Sequence, residues 1–290
     1  MTRFKFHILD VFAERKYAGN QLAVVENFGA LADDAMLDIA REFNFSETTF
    51  IQGKRPGKKG WPVRIFTPGG EVPFAGHPTL GTAWIIREEL AQGSADDIVL
   101  DLAAGSIPVM FTEDTAEMTQ LPPIFGARAD HAKAARVLGL DESDIRVDLP
   151  VEVVSTGLPF LITPLTGLDA VARCRVDTSL LHEFVEDLDA KMFYVFTDHA
   201  EFPENRIRAR MFGDYYDITE DPATGSAAGC LAGYLLRHAV LGEGEVSARI
   251  EQGFEMGRPS ILTISAREEG GKILVRVAGR VIKTAEGFLA

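Results

Sequence analysis

Hydrophobic and polar positions along the chain predict mixed α/β structure. Residues 4–12 read as a strand, 13–21 as a loop and 22–25 as a short buried strand. Met36, Ile39, Ala40 and Phe43 fall at helical spacing within residues 33–43. Strands follow over 48–52 and 63–66, then a helix over 79–90 with an apolar face of Leu80, Ala83, Trp84 and Leu90. Three strand-like stretches run from residue 98 to about 121, and Pro122-Pro123 ends the pattern. A similar order then recurs. Strands are predicted over 152–155 and 160–163, a helix over 180–188, and strands over 192–196 and 207–212. A helix over 227–238 has Leu231, Tyr234 and Leu235 on one face, and strands over 246–250, 261–264 and 273–277 follow.

The recurrence extends to individual residues. Arg64-Ile65-Phe66 matches Arg210-Met211-Phe212, and E-V-P-F-A-G-H-P from Glu71 matches E-D-P-A-T-G-S-A from Glu220. Glu71/Glu220, Pro73/Pro222 and Gly76/Gly225 stay in register. Each motif sits between a predicted strand and a predicted helix, so the chain reads as a duplication. The expected division is 1–122 and 123–278, with a C-terminal strand over about 279–290 returning to the first half.

Composition narrows the function classes. The chain has 29 Lys and Arg against 43 Asp and Glu, a formal charge of −14. Such a field repels nucleic acid and anionic membrane, so neither is an expected partner. The basic cluster of Lys54, Arg55, Lys58 and Lys59 reads as a solvated hairpin tip. No run reaches the ~18 apolar residues of a membrane helix. The N-terminus lacks the apolar stretch of an export signal, so Cys174 and Cys230 are expected as reduced cytosolic thiols.

Candidate chemistry centres on the duplicated turns. The first N–H groups of a helix are unpaired and its dipole favours negative charge, so each turn can serve as an anion site or simply as a tight, capped turn. If the halves face each other, both helix ends converge on one cleft and suit a small carboxylate. Neither turn is a nucleotide motif. The six histidines show no metal-ligand spacing and no C-x-x-C occurs, so no metal is expected. His77 stands out because it occupies the mouth of a helix. Glu47, in N-F-S-E-T-T-F, lies near Phe43, Phe45 and Phe50. Partial burial would raise its pKa toward that of a general acid or base, whereas the plain alternative is an exposed strand start. Asp221 reads as a helix N-cap, and Ser226 as a second cap or a substrate donor.

Five segments together resemble one family. They are D-V-F-A…Y-A-G-N-Q-L-A-V-V from Asp10, N-F-S-E-T-T-F from Asn44, R-I-F-T-P…E-V-P-F-A-G-H-P-T-L-G from Arg64, E-D-P-A-T-G-S-A-A-G from Glu220 and Q-G…M-G-R-P-S from Gln252. The chain resembles the phenazine-biosynthesis PhzF-like family of the diaminopimelate epimerase fold, with Gln21 where members often carry Pro. The resemblance implies two pseudo-symmetric halves. Each is a mixed, mostly antiparallel sheet wrapped around a central helix, with the active site in the cleft between them. It implies a cofactor-free isomerase, expected as a cytoplasmic homodimer, acting on a small carboxylate substrate. Glu47, His77, Asp221 and Ser226 are the implied catalytic residues. Asn20, Ser46, Gly76, Pro78, Thr224 and Gly225 are the implied substrate-binding ones. Related epimerases use two cysteines; the nearest positions here are Ala75 and Pro222, so a single-carboxylate proton shift is the favoured chemistry. A silent carboxylate-binding protein and an epimerase with other bases remain competing classes.

Overall fold

The computed structural model describes residues 3–93, 95–112 and 115–290. Met1 and Thr2 of the N-terminal stretch, and Glu113 and Asp114 within the span 98–121, lie outside the described residues. The chain forms two compact units, Met1–Thr119 with Ala278–Ala290, and Gln120–Val277.

The first unit opens with an antiparallel hairpin of β1 (Phe4–Val11) and β2 (Asn20–Glu26). Helix α1 (Asp33–Phe43) crosses to β3 (Glu47–Ile51), which runs parallel to β2. β4 (Trp61–Thr67) and β5 (Gly70–Val72) continue antiparallel. Helix α2 (Gly76–Ile85) then leads to β6 (Asp97–Leu102), parallel to β4, and on to β7 (Gly105–Phe111) and β8 (Ala116–Thr119). α2 packs against β1, β2, β3, β6, β7 and β8, so the strands surround it.

Burial corrects the expected single apolar face of this helix. Nearly every residue of α2 is buried, including His77, Thr79 and Thr82, and Trp84 is the partly exposed one. The polar groups inside are satisfied locally. Thr82 shares a 2.7 Å hydrogen bond with Thr49 of β3, and the Thr79 hydroxyl donates to the Ala75 carbonyl. Gly81 is required by close approach, since a Cβ there would stand 2.5 Å from Leu22 and 2.9 Å from Val11. The expected helix over 79–90 also changes character: residues 86–90 form a π-helical turn.

The second unit has β9 (Ile124–Ala129), α3 (His131–Val137) and the hairpin β10 (Val151–Ser155) and β11 (Pro159–Pro164). Helices α4 (Leu168–Arg173) and α5 (Thr178–Val185) lead to β12 (Phe193–Thr197), parallel to β11. β13 (Ile207–Gly213) and β14 (Ile218–Asp221) follow antiparallel. α6 (Gly225–Arg237) then leads to β15 (Val246–Gln252), parallel to β13, and to β16 (Ser260–Glu269) and β17 (Lys272–Gly279). α6 packs against β10, β11, β15 and β16, and its residues 225–235 are all buried. α3 and α4 carry no helical stripe long enough to have been read from the sequence. In the first unit, β18 (Val281–Leu289) closes on β1.

The pairing sequence is the same in each unit, so register assigns equivalent positions. Phe66 pairs with Thr48 and Phe212 with Phe193, which makes Thr48 equivalent to Phe193 and Glu47 to Met192. The parallel pairs Ala23–Thr48 and Leu161–Phe193 make Asn20 equivalent to Leu158. The pairs Pro62–Asp101 and Arg208–Glu251 make Leu102 equivalent to Gln252.

Candidate active site

Three element starts bring the first unit's candidate residues together. Asn20 begins β2, Glu47 begins the parallel β3, and His77 is the second residue of α2. The Asn20 amide nitrogen lies 3.2 Å from His77 Nδ1. Nε2 stands 3.5 Å from Glu47 Oε2, and His77 is 4% exposed. Burial pulls the His77 pKa down to about 3, with the Gln21 backbone opposing in part, so the ring is neutral near pH 7. The Glu47 side chain is 18% exposed, turned partly inward and still reachable. The Asn20 side chain thus lies against the His77 ring, next to Glu47. Ser46, next to Glu47, is exposed.

The mouth of α2 has no side-chain cap. Its N-cap is Ala75, in extended conformation, and the third helical residue, Pro78, has no N–H to offer. The first turn therefore directs the N–H groups of Gly76 and His77 toward its N-terminal end, where the dipole favours negative charge.

In the second unit, α6 likewise lacks a side-chain cap, and its N-cap is Thr224. This corrects the cap readings of Asp221 and Ser226. The Thr224 hydroxyl donates instead to Asp221 Oδ2 at 2.5 Å, and Ser226 is the second helical residue, 8% exposed. Gln252 joins Asp221 to Thr224 through its amide, and the Gln120 amide donates to the Gly225 carbonyl at 2.9 Å. Gln252 had a signal in its Q-G motif, although no role was assigned to it. Gln120 and Tyr194, which also join this network, had none.

Neither thiol is set up for proton transfer. Burial pushes Cys174 up to about 12 and Cys230 up to about 11. Among the described residues, one His/acid group has ligand atoms within 4.8 Å of one another: His7, Glu89 and Glu286. Lys283 donates to both carboxylates, at 2.6 and 3.1 Å, and Lys5 to Glu89 at 3.0 Å. These lysine hydrogen bonds hold Glu89 down at about 2. The cluster is charge-compensated by ammonium groups already in place.

A family model described as phenazine biosynthesis-like protein (PhzC-PhzF) matches residues 9–287. Trans-2,3-dihydro-3-hydroxyanthranilate isomerase of Pseudomonas fluorescens is 34% identical over 291 residues, covering 97% of this chain and 98% of its own. A Mesorhizobium japonicum protein named uncharacterized isomerase mll1393 is 34% identical over 300 residues, covering 100% of this chain and 99% of its own. Among solved structures, a PhzF-family protein of Bacillus anthracis superposes with a TM-score of 0.91 at 24% identity, over 100% of both chains. The chain belongs to the phenazine biosynthesis-like, or PhzF-like, family and is an isomerase of mixed α/β fold. Among its described residues, no helix is long and apolar enough to cross a membrane.

Proposed function

We propose that this isomerase moves a proton between carbons of a small unsaturated or cyclic carboxylic acid, with Glu47 as the general acid and base. The observation that carries the reading is the Glu47–His77 arrangement: a reachable carboxylate 3.5 Å from a buried, neutral imidazole whose other nitrogen is held by Asn20. Glu47 takes a proton from one carbon, leaving a delocalised anion, and returns it to another carbon of the same system. The proton count closes without a cofactor or redox partner. The N–H groups at the mouth of α2 supply donors for the developing negative charge, and the neutral His77 ring lies beside the carboxylate without adding a like charge. Apo geometry need not match the loaded state, so a 3.5 Å separation is compatible with this role.

In the second unit, Asp221, Thr224, Gly225 and Ser226 are proposed to bind the substrate's polar groups. Trans-2,3-dihydro-3-hydroxyanthranilate, the acid named for the Pseudomonas relative, is the first substrate to test. A cytoplasmic homodimer is the proposed working form, to be checked by light scattering in solution.

The decisive measurement is deuterium uptake from D₂O into that acid and into a panel of small unsaturated acids. Glu47→Gln is expected to lower turnover at least about 10²-fold, roughly 2.7 kcal/mol of barrier, with little change in affinity. Full turnover in this variant would remove Glu47 from the chemistry. Tight binding without exchange by the wild type would favour a silent binding protein.

A further inference from the structure

The Q-G…M-G-R-P-S segment from Gln252 has no task in the proton transfer just described. Gln252 ends β15 and is fully buried. Its Nε2 donates to the Asp221 carbonyl at 2.9 Å and to Thr224 Oγ1 at 3.0 Å. Its Oε1 accepts from the Thr224 N–H at 3.2 Å and from the Tyr194 hydroxyl at 3.0 Å. Two hydrogens and two lone pairs are the full capacity of an amide. A backbone N–H can only donate, so the Thr224 bond fixes which end of the amide is oxygen. Burial, and then the charge of Asp221, push the Tyr194 phenol upward, which keeps it a donor.

The directions of the remaining bonds follow. Thr224 Oγ1 receives a hydrogen from Gln252, so its own single proton is left for Asp221 Oδ2, 2.5 Å away. Gly253 lets the strand end approach this closely. Its φ is +75°, and a Cβ there would stand 2.5 Å from the carbonyl oxygens of both Pro222 and Arg258. The Met256 and Arg258 N–H groups close back on the Gly253 carbonyl at 3.2 and 2.9 Å.

We propose that Gln252 is a positioning residue: through the Thr224 hydroxyl it keeps Asp221 Oδ2 a hydrogen-bond acceptor and fixes that carboxyl ahead of the first turn of α6. The inference rests on the reading that Asp221 serves the substrate.

Gln252→Glu tests direction rather than shape. Oxygen replaces the donating nitrogen, so its bonds to the Asp221 carbonyl and to Thr224 Oγ1 are lost, the Thr224 hydroxyl turns toward the new carboxylate, and Asp221 Oδ2 loses the hydrogen that Thr224 gave it. The Thr224 N–H keeps its acceptor. The probe is trans-2,3-dihydro-3-hydroxyanthranilate in D₂O, with amide exchange at Thr224 read in the ligand-free protein. Gln252→Glu is expected to lower kcat about 10–10²-fold while KM moves less than about threefold; Thr224→Val, which also removes a proposed substrate contact, should lower kcat by a similar factor and raise KM as well. The double variant should be no worse than the weaker single one, because both cut the same relay. Thr224 amide exchange should stay slow in Gln252→Glu and speed up in Gln252→Met. Wild-type kcat in Gln252→Glu overturns the proposal. So does a loss of kcat that appears only together with fast Thr224 exchange, because that marks a merely structural role. If the wild type leaves the probe unchanged, the proposed reaction on that acid fails separately. The relay is then decided by the Thr224 hydroxyl proton in NMR spectra of the ligand-free protein. That proton is expected to be protected in the wild type and shifted in Gln252→Glu, and an unshifted resonance overturns the relay.

Discussion

The first turns of α2 and α6 follow strands of the same order and pairing, yet their polar residues are complementary. In the first unit the proposed trio is Asn20, Glu47 and His77; register and motif alignment put Leu158, Met192 and Ser226 at the equivalent positions. In the second unit the network is Asp221, Thr224 and Gln252, and the equivalents are Val72, Ala75 and Leu102. Each unit has polar side chains where the other has mostly apolar ones. One scaffold thus carries a reachable carboxylate beside a neutral imidazole, and the other a carboxylate tied down at 2.5 Å. A repeated backbone can hold unrelated side-chain chemistry, because the strands and central helices depend on packing that these positions do not dominate.

A feature common to both units gives the largest expected effect on stability. Arg64 forms a two-point pair with Glu71 at 2.7 and 2.6 Å, and Arg210 a two-point pair with Glu220 at 2.8 and 2.9 Å. Each brace ties a strand to the segment that enters its motif turn, but their surroundings differ. The Arg64 side chain is 28% exposed and Arg210 3% exposed, and Arg210 also donates to the Val171 and Cys174 carbonyls. Arg210→Met removes the buried guanidinium and leaves Glu220, 11% exposed, without it, at an expected cost of about 3 kcal/mol. Arg64→Met should cost only about 0.2–1 kcal/mol. Urea denaturation of the two variants reads the difference; equal costs would mean that the braces are equivalent despite their burial.

His77 and its equivalent Ser226 give a smaller contrast, which appears with pH. Folding lowers the His77 pKa from 6.5 to about 3 through burial. Between those values the unfolded chain binds a proton that the folded chain refuses, so stability rises with pH across this window. The contribution is complete above about pH 6.5 and is lost as pH falls toward about 3. His77→Asn should flatten the acid limb of stability against pH, and Ser226→Ala should leave it unchanged. A His77→Asn curve parallel to the wild type would mean that the imidazole is protonated in the fold.

Much of this comparison was legible in the sequence. The Arg/Glu/Pro/Gly register and the two motif strings located both turns, and Glu47 was singled out by its aromatic neighbours. The second partners were not legible. The contact of Asn20 with His77 arises because the starts of β2 and α2 meet, across 57 residues. Tyr194 reaches Gln252 across 58 residues. An amide or phenol has no local pattern that names its partner. α2 was misread as one-sided because its buried polar residues, His77, Thr79 and Thr82, interrupt the apolar period while lying inside.

The smallest expected effect concerns the thiols, and it separates this site from a two-thiol racemase. Such chemistry needs a thiolate available near neutral pH on each side of a carbon. Burial, the leading influence, lifts Cys174 to about 12 and Cys230 to about 11, so neither ionises appreciably at pH 7–8. Cys230 is in α6 at the position that Gly81 occupies in α2, counting from the paired Gly225 and Gly76. Its sulfur lies 3.5 Å from the Thr156 hydroxyl and 3.6 Å from the Leu158 carbonyl, inside the second unit rather than at a helix mouth. The first unit has no side chain at all at that point, so the two helices cannot present a thiol pair. Cys174→Ala and Cys230→Ala should each leave the rate of deuterium exchange within about twofold of wild type. Each should cost stability on the order of 1 kcal/mol through lost packing, the usual scale for a point change in a core. An exchange rate that collapses in either variant, with the melting temperature held, would return a sulfur to the mechanism and make the two units chemically alike after all.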